Sequence, residues 1–354
     1  MKNWEENIRK VVPYVPGEQP KKQNIIKLNT NENPYPPAPG VAEAVKSVDI
    51  DRLRMYPDSL VTDLVEAIAS NYQVKNEQVF VGVGSDDVLA MIFMTFFNSK
   101  KPILFPDITY SFYDVWADML RIPYEQIPLD EDFKICPKDY SRENGGVIFP
   151  NPNAPTGELM NLAQIEEIIQ ANPDVIVVVD EAYIDFGGVS ALPLIDKYDN
   201  VIVVQTFSKS RSMAGSRIGF AISNPTLIKY LNDVKYSFNS YTMDTITIAA
   251  GTAAMRDLAY FEMTRDKIIQ TREWTKQELK RLGFVFGDSK SNFIFAMHPD
   301  VSGVALLEAL REHDIFVRHF SNPARINEYL RITIGTDEQM KTFIAFLEDY
   351  LNKN

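Results

Sequence analysis

Cysteine is almost absent from this sequence, and histidine is scarce. Cys136 is the single cysteine, which excludes an intrachain disulfide and a cysteine-rich metal site. The three histidines, His298, His313 and His319, lack the spacing of metal ligands, such as two histidines separated by three residues. A metal centre therefore has little support, and a single cysteine favours a reducing compartment such as the cytoplasm.

Long apolar runs and an excess of positive charge are also lacking. The longest nearly apolar stretch, Val88 to Phe97, is far short of the roughly 20 residues that span a bilayer. The first residues lack the apolar core of a secretory signal, which again favours the cytoplasm. The formal net charge is −12, from 36 Lys and Arg against 48 Asp and Glu, and it argues against nucleic acid or an anionic membrane as a partner. Anionic ligands would therefore need locally concentrated positive charge.

Two common catalytic motifs are missing as well. The chain contains no Gly-x-x-x-x-Gly-Lys-Ser/Thr phosphate-binding loop. Ser208 follows an apolar run, but it lies in no Gly-x-Ser-x-Gly sequence. The pattern therefore does not favour a serine hydrolase.

What the sequence does contain, from about residue 78, is an alternation of strand and helix signals. Short apolar runs predict strands at residues 78–83, 102–105, 146–149, 175–179, 201–204 and 217–222. Continuous apolar runs suit a sheet that is covered on both faces, and the alternation suits right-handed crossovers. The sequence therefore predicts an α/β fold with a mainly parallel sheet covered by helices.

Three regions are predicted along the chain. Residues 1–45 are rich in Pro and Asn, which predicts an arm with turns that also contributes to the smaller domain. Residues 46–260 form the predicted large domain, with one of its helices at 110–119. Residues 261–354 form a predicted smaller α+β domain with strands at 293–295, 315–318 and 330–334.

Chemically active side chains follow two neighbouring apolar runs, 175–179 and 201–204. They are Asp180, Tyr183, Thr206, Ser208, Lys209 and Arg217. Because ligands of open α/β sheets bind beyond the carboxyl ends of the strands, we expect these groups to converge. An amine that can bond to an aldehyde, a carboxylate for a pyridine nitrogen, and hydroxyls with a guanidinium for a phosphate together suit pyridoxal 5′-phosphate (PLP).

Four motifs in chain order resemble those of the fold-type I PLP-dependent aminotransferases. They are Asn29-Thr30-Asn31-Glu32-Asn33-Pro34, Asn151-Pro152-Asn153-Ala154-Pro155-Thr156-Gly157, Asp180-Glu181-Ala182-Tyr183-Ile184-Asp185-Phe186, and Thr206-Phe207-Ser208-Lys209 with Arg217-Ile218-Gly219-Phe220. The resemblance runs from Pro13 to about Gly335 and is most specific toward the histidinol-phosphate aminotransferases. It implies a homodimer that converts L-histidinol phosphate and 2-oxoglutarate into imidazole acetol phosphate and L-glutamate in histidine biosynthesis.

Other activities remain open at this point. Threonine-phosphate decarboxylases and aromatic amino acid aminotransferases share most of these motifs, so a decarboxylase of a phosphorylated amino acid is one alternative. A cofactor-binding regulator is another, but regulators of this lineage add a DNA-binding domain. The chain has neither the roughly 60 spare residues nor the basic surface for such a domain.

The resemblance also implies a role for each matching residue. Lys209 would bind the cofactor covalently and move a proton at the substrate α-carbon, and Asp180 would pair with the pyridine nitrogen. Tyr110 would stack on the cofactor ring and Tyr183 would contact its 3′-oxygen, while the phosphate would be held by Gly84, Ser85, Asp86, Thr206, Ser208 and Arg217. Tyr56 would reach the cofactor phosphate of the partner subunit. Tyr14 would close over the substrate, and Arg318 and Arg331 would bind its anionic end.

One position departs from the family pattern. The family usually has Asn-Pro-Asn-Asn-Pro-Thr-Gly, and its fourth residue donates to the 3′-oxygen of the cofactor, whereas this chain has Ala154 there. The neighbouring Asn153 is a further candidate for cofactor binding, although adjacent residues of an extended run point in opposite directions. A missing hydrogen bond costs on the order of 1 kcal/mol, so cofactor binding should persist while its electronic tuning changes.

Overall fold

A computed structural model describes residues 3–15 and 17–353 of the chain. Met1, Lys2 and Pro16 of the predicted arm lie outside the described residues, as does Asn354. The strands are β1 (Ile26–Leu28), β2 (Val79–Gly82), β3 (Ile103–Pro106), β4 (Tyr124–Ile127), β5 (Gly146–Pro150), β6 (Val177–Asp180), β7 (Val201–Thr206), β8 (Gly219–Ser223), β9 (Val285–Phe286), β10 (Phe293–Met297), β11 (Ile315–His319) and β12 (Leu330–Thr333).

Helices flank these strands. The α-helices are α1 (Pro39–Lys46), α2 (Thr62–Tyr72), α3 (Ser85–Phe96), α4 (Tyr113–Leu120), α5 (Leu162–Ala171), α6 (Pro225–Phe238), α7 (Thr245–Arg256), α8 (Leu258–Arg281), α9 (Gly303–Glu312) and α10 (Asp337–Lys353). Short 3-10 helices lie at Asn3–Asn7, Ile50–Arg54, Asn76–Gln78, Pro137–Tyr140, Ile184–Phe186, Leu192–Asp196, Ala214–Ser216 and Ala324–Ile326. No helix in the described ranges is long and apolar enough to cross a membrane.

The larger sheet has seven strands in the order β2-β8-β7-β6-β5-β3-β4. Strand β8 is antiparallel to β2 and β7, whereas the other neighbours are parallel. Alternate residues of β7 enter different cores: Val201 and Val203 pack into one apolar cluster, and Ile202 and Val204 into another. Both faces are therefore covered, and the predicted α/β fold with a mainly parallel sheet is confirmed.

The order of this sheet brings the functional strand ends together. Strands β5, β6 and β7 are adjacent and parallel, so their carboxyl ends lie at one edge. Asp180 ends β6, and Lys209 follows β7 by three residues. The loop after β5 carries the Asn151–Gly157 motif to the same edge.

The smaller sheet has five strands in the order β1-β11-β12-β10-β9. Strand β1 comes from the N-terminal region and pairs in parallel with β11, with Ile26 opposite Ile315. The antiparallel register of β11 and β12 places Arg318 directly opposite Arg331. Residues opposite each other in such a pair extend from the same face, so the two guanidinium groups are neighbours.

Two predicted element boundaries need correction. The strand predicted to start at Arg217 begins at Gly219, because Arg217 has a φ of +52°, a left-handed conformation that a strand does not accommodate. The helix predicted from Tyr110 begins at Tyr113. Tyr110 therefore lies in the turn before the helix, where its side chain is free to face the site.

Candidate active site

A cavity of about 140 Å³ lies at the carboxyl ends of β5, β6 and β7. It is formed by residues from five separate parts of the chain, which the order of the large sheet brings together. They are Ser85, Asp86, Tyr110, Pro150, Ala154, Asp180, Ala182, Tyr183, Ser208, Lys209, Ala214 and Arg217. Eight of these twelve were predicted as site residues from the sequence.

Lys209 extends into this cavity from the loop after β7. Its Nζ lies 5.6 Å from the centroid of the Tyr183 ring and 3.5 Å from the carbonyl oxygen of Thr30. The amide of Asn33 donates to the backbone oxygens of Lys209 and Ser210, at 3.0 and 3.2 Å. The Asn-rich N-terminal segment therefore fixes the loop that carries the amine.

Asp180 is a buried carboxylate at the end of β6. Its two oxygens accept hydrogen bonds from the Tyr113 hydroxyl at 2.9 Å and from the Ala182 N–H at 3.2 Å. Burial raises the pKa of Asp180 to about 6, against these two donors. Because an ionised carboxylate in such a place needs a cation, a protonated pyridine nitrogen in the cavity would be a suitable partner.

Tyr183 has its hydroxyl oriented by a residue of the N-terminal segment. The amide of Asn31 donates to the Tyr183 oxygen at 2.9 Å. The other side of that amide is fixed, because the Thr333 hydroxyl donates to Asn31 Oδ1 at 3.0 Å. With its oxygen already accepting a bond, the Tyr183 hydroxyl has its own hydrogen available for a ligand in the cavity.

The opposite end of the cavity can bind an anion. Helix α3 starts at Ser85, and its preceding residue Gly84 offers no side-chain cap, so the first backbone N–H groups are available to a phosphate. Gly84 has a φ of +87°, and a Cβ there would lie 2.5 Å from Arg217 Nη2. Glycine therefore allows the guanidinium to approach the helix start, where Arg217 Nη2 lies 2.9 Å from Asp86 Oδ2.

The predicted hydroxyls lie beside this end of the cavity. Ser208 lines the cavity, and Thr206 lies behind it, with their side-chain oxygens 3.0 Å apart. Thr206 also bonds to the carbonyl oxygen of Ile218 at 3.2 Å. Thr206 therefore orients the Ser208 hydroxyl and does not line the cavity itself.

Tyr110 forms one wall of the cavity, and its hydroxyl donates to Asp86 Oδ1 at 2.6 Å. Burial and the nearby Asp86 carboxylate raise the pKa of Tyr110 far above its usual value, so the phenol stays neutral. This hydrogen bond fixes the plane of an aromatic ring that lies in the turn before α4.

A second cavity of about 250 Å³ adjoins the first. Tyr110, Ala154, Tyr183 and Lys209 line both. The remaining residues of the second cavity are Tyr14, Gly17, Gln19, Asn29, Thr30, Asn31, Thr109, Ser111, Pro155, Arg318, Phe320 and Arg331. It therefore contains the three residues predicted to bind the substrate.

The two arginines are the main positive charges of the second cavity. Arg331 Nη2 donates to the Asn29 carbonyl oxygen at 3.1 Å, while its buried Nε has no partner among the described residues. Both guanidinium carbons lie close to the Phe320 ring, 5.6 Å away for Arg318 and 5.5 Å for Arg331. Burial, together with the neighbouring Arg318, lowers the pKa of Arg331. An anion between the two would relieve this repulsion.

Asn153, which was predicted as a cofactor-binding residue, does not line the cofactor cavity. Its amide donates to the Ile108 oxygen at 2.9 Å and to Thr156 Oγ1 at 3.0 Å. Its side-chain oxygen accepts from the Thr109 hydroxyl at 3.1 Å. Asn153 thus holds the turn together, and Ala154 faces both cavities instead.

Replacing Ala154 with asparagine should introduce a donor that faces the cofactor cavity. A donor to the 3′-oxygen of the cofactor stabilises the negative charge on that oxygen. The deprotonated form of the bound cofactor is therefore favoured, and its absorbance titration should move to lower pH. An absorbance titration of the cofactor-loaded variant against the natural protein measures this change. An unchanged or higher midpoint would mean that Tyr183 already satisfies the oxygen.

Tyr56 lies away from both cavities of its own chain. Its side chain is 81% exposed, and its ring stacks on Tyr241 with 4.5 Å between centroids. An inward role in the same chain is therefore incompatible with its position. The exposed ring leaves it available to another molecule.

Two residues of the site were missed by sequence reasoning. Tyr113 bonds to Asp180, and Asn31 bonds to Tyr183. Asn31 lies inside a motif that the sequence analysis had identified, and Tyr113 lies three residues after the predicted Tyr110. These positions could have drawn attention to the two residues, but the sequence spacing does not reveal that Tyr113 bonds to Asp180 or that Asn31 bonds to Tyr183.

The donor set of the first cavity fits PLP. It offers an amine, a buried carboxylate, a phenol donor, an aromatic wall and an anion-binding helix start, which lie around a single cavity. The residues that the structure describes include no group of three or more His, Cys, Asp or Glu side chains that could hold a metal.

Comparison with known proteins agrees with this arrangement. The family described as aminotransferase class I and II matches residues 23–347. Histidinol-phosphate aminotransferase of Lactococcus lactis subsp. cremoris (strain MG1363) is 51% identical over 349 residues, covering 99% of this chain and 98% of that protein. Histidinol-phosphate aminotransferase of Acinetobacter baumannii (strain SDF) is 53% identical over 351 residues, covering 98% of this chain and 97% of that protein.

A solved structure supports the same comparison. The crystal structure of histidinol-phosphate aminotransferase from Sinorhizobium meliloti, in complex with pyridoxal 5′-phosphate, aligns with a TM-score of 0.84 at 25% identity. The alignment covers 93% of this chain and 91% of that one. The similarity therefore extends over both sheets.

Proposed function

The chain belongs to the class I and II aminotransferases, which are PLP-dependent enzymes, and from this premise we propose that it acts on L-histidinol phosphate. The reaction would transfer the amino group to 2-oxoglutarate and yield imidazole acetol phosphate and L-glutamate, a step of histidine biosynthesis. Relatives with that printed name are 51% and 53% identical over nearly the whole chain. The observation that carries the substrate proposal is the pair Arg318 and Arg331 beside the amine of Lys209.

The residues of the first cavity would hold the cofactor. When bound, PLP withdraws electrons from the substrate through its protonated ring. Lys209 would hold PLP covalently and then carry the proton of the substrate α-carbon, while Asp180 keeps the ring nitrogen protonated. Tyr183 would donate to the 3′-oxygen, and Tyr110 would cover one face of the ring. The phosphate would be bound by Ser208 and Arg217 with the backbone at Gly84, Ser85 and Asp86, supported by Thr206.

The second cavity would bind the substrate. A phosphate monoester carries up to two negative charges, and two adjacent guanidinium groups match it in charge and geometry. Tyr14 lines the same cavity from the N-terminal arm, where its ring stacks on Phe112 with 4.3 Å between centroids. The arm would therefore close the site over the substrate.

The substrate proposal is tested by comparing amino donors. Transfer to 2-oxoglutarate should be faster from histidinol phosphate than from phenylalanine, by about tenfold or more in kcat/KM, because phenylalanine lacks the phosphate. Threonine phosphate, with carbon dioxide release as the readout, tests the decarboxylase alternative. Equal use of phenylalanine, or release of carbon dioxide, would overturn the proposal.

Replacing Arg318 or Arg331 with alanine should weaken substrate binding by ~1.5–3 kcal/mol each, the range for hydrogen bonds to charged groups. The affinity for PLP should barely change, because neither arginine lines the cofactor cavity. Substrate dissociation constants and cofactor titrations measure the two effects. Arg281→Ala, on the exposed side of α8, is the matched control.

A structural role for the arginines predicts a different result. If Arg318→Ala or Arg331→Ala weakened cofactor and substrate binding equally, the two residues would be supporting the fold of the small sheet. The proposed contact with the anionic substrate would then be wrong.

We also propose that the enzyme is a homodimer with shared sites. Tyr56 is exposed in the single chain, and it stacks on Tyr241, which is exposed as well. Further exposed apolar side chains lie near Tyr56 in the sequence, at Ile50, Met55 and Leu60. An exposed apolar patch of this kind is typical of a protein interface, and Tyr56 would reach the cofactor phosphate of the partner.

Mixed dimers test this arrangement. Lys209→Ala chains and Tyr56→Ala chains, each severely impaired alone, should regain part of the activity when their subunits exchange. One site of the mixed dimer would then carry both defects and the other would carry neither. Exchange is verified with two differently tagged chains. No recovery in verified mixed dimers would contradict a shared site.

Two further predictions from the sequence stay proposals. The division into a large and a small domain is supported by the small sheet, which combines β1 with β9 to β12, whereas the limits at residues 45–46 and 260–261 fall within α1 and α8. Action in the cytoplasm is supported by the single cysteine.

A further inference from the structure

Tyr113, the first residue of α4, is completely buried beside the cofactor cavity. Its ring packs against Phe93, Phe105 and Tyr110, with centroids 6.2, 5.8 and 5.8 Å away. Its hydroxyl donates to Asp180 Oδ2 at 2.9 Å, and this is its single side-chain hydrogen bond among the described residues. The neighbouring rings thus pack around the Tyr113 side chain, whose hydroxyl is bonded to the carboxylate.

Asp180 depends on this donor because its charged neighbours act on its negative charge in opposite directions. Asp86 at the start of α3 repels its negative charge, while Lys209 after β7 attracts it. Burial is the largest influence and raises the pKa of Asp180 to about 6. The Tyr113 hydroxyl is the first of the groups that oppose burial, since a hydrogen bond to the charged form favours that form.

We propose that Tyr113 is a positioning residue that keeps Asp180 ionised and oriented toward the pyridine nitrogen of the cofactor. The inference rests on the role proposed above for Asp180. Tyr113 does not line the cavity itself, so it acts through the carboxylate. A tyrosine suits this task because its rigid ring holds the hydroxyl in place at little cost in conformational entropy.

The test uses Tyr113→Phe, which keeps the ring and removes the hydroxyl. The probe is pyridoxamine 5′-phosphate, which has the ring and phosphate of the cofactor but no aldehyde for Lys209. Its dissociation constant is measured by calorimetry on the full-length chain, freed of cofactor by dialysis, at pH 6 and pH 8. Circular dichroism checks that the fold is retained.

The expected result depends on pH. If the Asp180 pKa rises by one unit from about 6, the ionised fraction falls roughly fivefold at pH 6 and by less than about 1.2-fold at pH 8. The affinity ratio between variant and natural protein should change in the same way. Asp180→Asn should show the opposite trend, with its larger loss at pH 8, where the natural carboxylate is fully charged.

The matched control is Tyr140→Phe. Tyr140 is also fully buried, but its hydroxyl has no hydrogen-bond partner in the described part of the chain, so its removal should leave the affinity unchanged. In the Asp180→Asn background, Tyr113→Phe should have no further effect.

Two outcomes would overturn the inference, and they are distinguishable. No loss in Tyr113→Phe at either pH would mean that Tyr113 serves packing alone, and a loss that is equal at both pH values, or that persists beside Asp180→Asn, would mean that its hydroxyl does not act through the charge of Asp180. An Asp180→Asn variant with unchanged affinity at both pH values would overturn the role of Asp180, and this inference with it.

Discussion

Replacing Lys209 with alanine should abolish covalent attachment of PLP and lower turnover by several orders of magnitude. Lys209 supplies the one lysine amine that lines the cofactor cavity among the described residues, and the proposed reaction uses it both to bind PLP and to move a proton. Borohydride reduction followed by mass spectrometry of the peptides measures the attachment. A turnover assay with histidinol phosphate and 2-oxoglutarate measures the activity.

The control for this experiment is another lysine, which lies exposed at the surface. Lys229 on α6 pairs with Asp233 at the surface, and Lys229→Ala should keep both the labelled peptide and the activity. Near-normal turnover of Lys209→Ala, or labelling of a different lysine in the natural protein, would show that the amine was assigned wrongly.

Replacing Asp180 with asparagine should lower turnover by about two orders of magnitude or more, the scale expected when one partner of a buried charge pair is removed. An amide keeps the size of the side chain and can still accept from Tyr113, but it cannot hold the ring nitrogen protonated. PLP should still bind through Lys209 and the phosphate contacts. Turnover and cofactor content, measured on the same preparation, separate the two effects.

Glu181 provides a matched control at the next position. It is also a buried carboxylate, but its oxygens accept from Ser190, the Ala191 backbone and Gln205, and it does not line the cavity. Glu181→Gln should therefore retain cofactor and most of the turnover. Equal damage in both variants would indicate that the end of β6 had been disrupted and that Asp180 has no particular chemical role.

The elements that could be predicted from the sequence are those whose burial is visible in the residue pattern. Strands β6 and β7 are continuous runs of Val and Ile because both faces of the large sheet are covered. Strands β1, β4 and β9 were missed. Strands β1 and β9 have only three and two residues, and β4 lies at the sheet edge with Glu125 and Gln126 exposed, so that no apolar run marks it.

The sequence by itself determined the chemistry and its location at strand ends. Asp180 and Lys209 follow buried strands, and the family motifs lie in order around them, so cofactor and reaction class follow from local patterns. Local patterns are sufficient here because a parallel sheet places the carboxyl ends of its strands at one edge, so that side chains following different strands meet there.

The tertiary structure alone decided how the side chains meet. Tyr113 and Asp180 are 67 residues apart, and Asn31 and Tyr183 are 152 residues apart. No spacing rule connects such pairs, since their contact depends on how separate helices, strands and loops pack. The opposed register of Arg318 and Arg331 was likewise set by the pairing of two strands, and it makes neighbours of two arginines that are 13 residues apart in the chain.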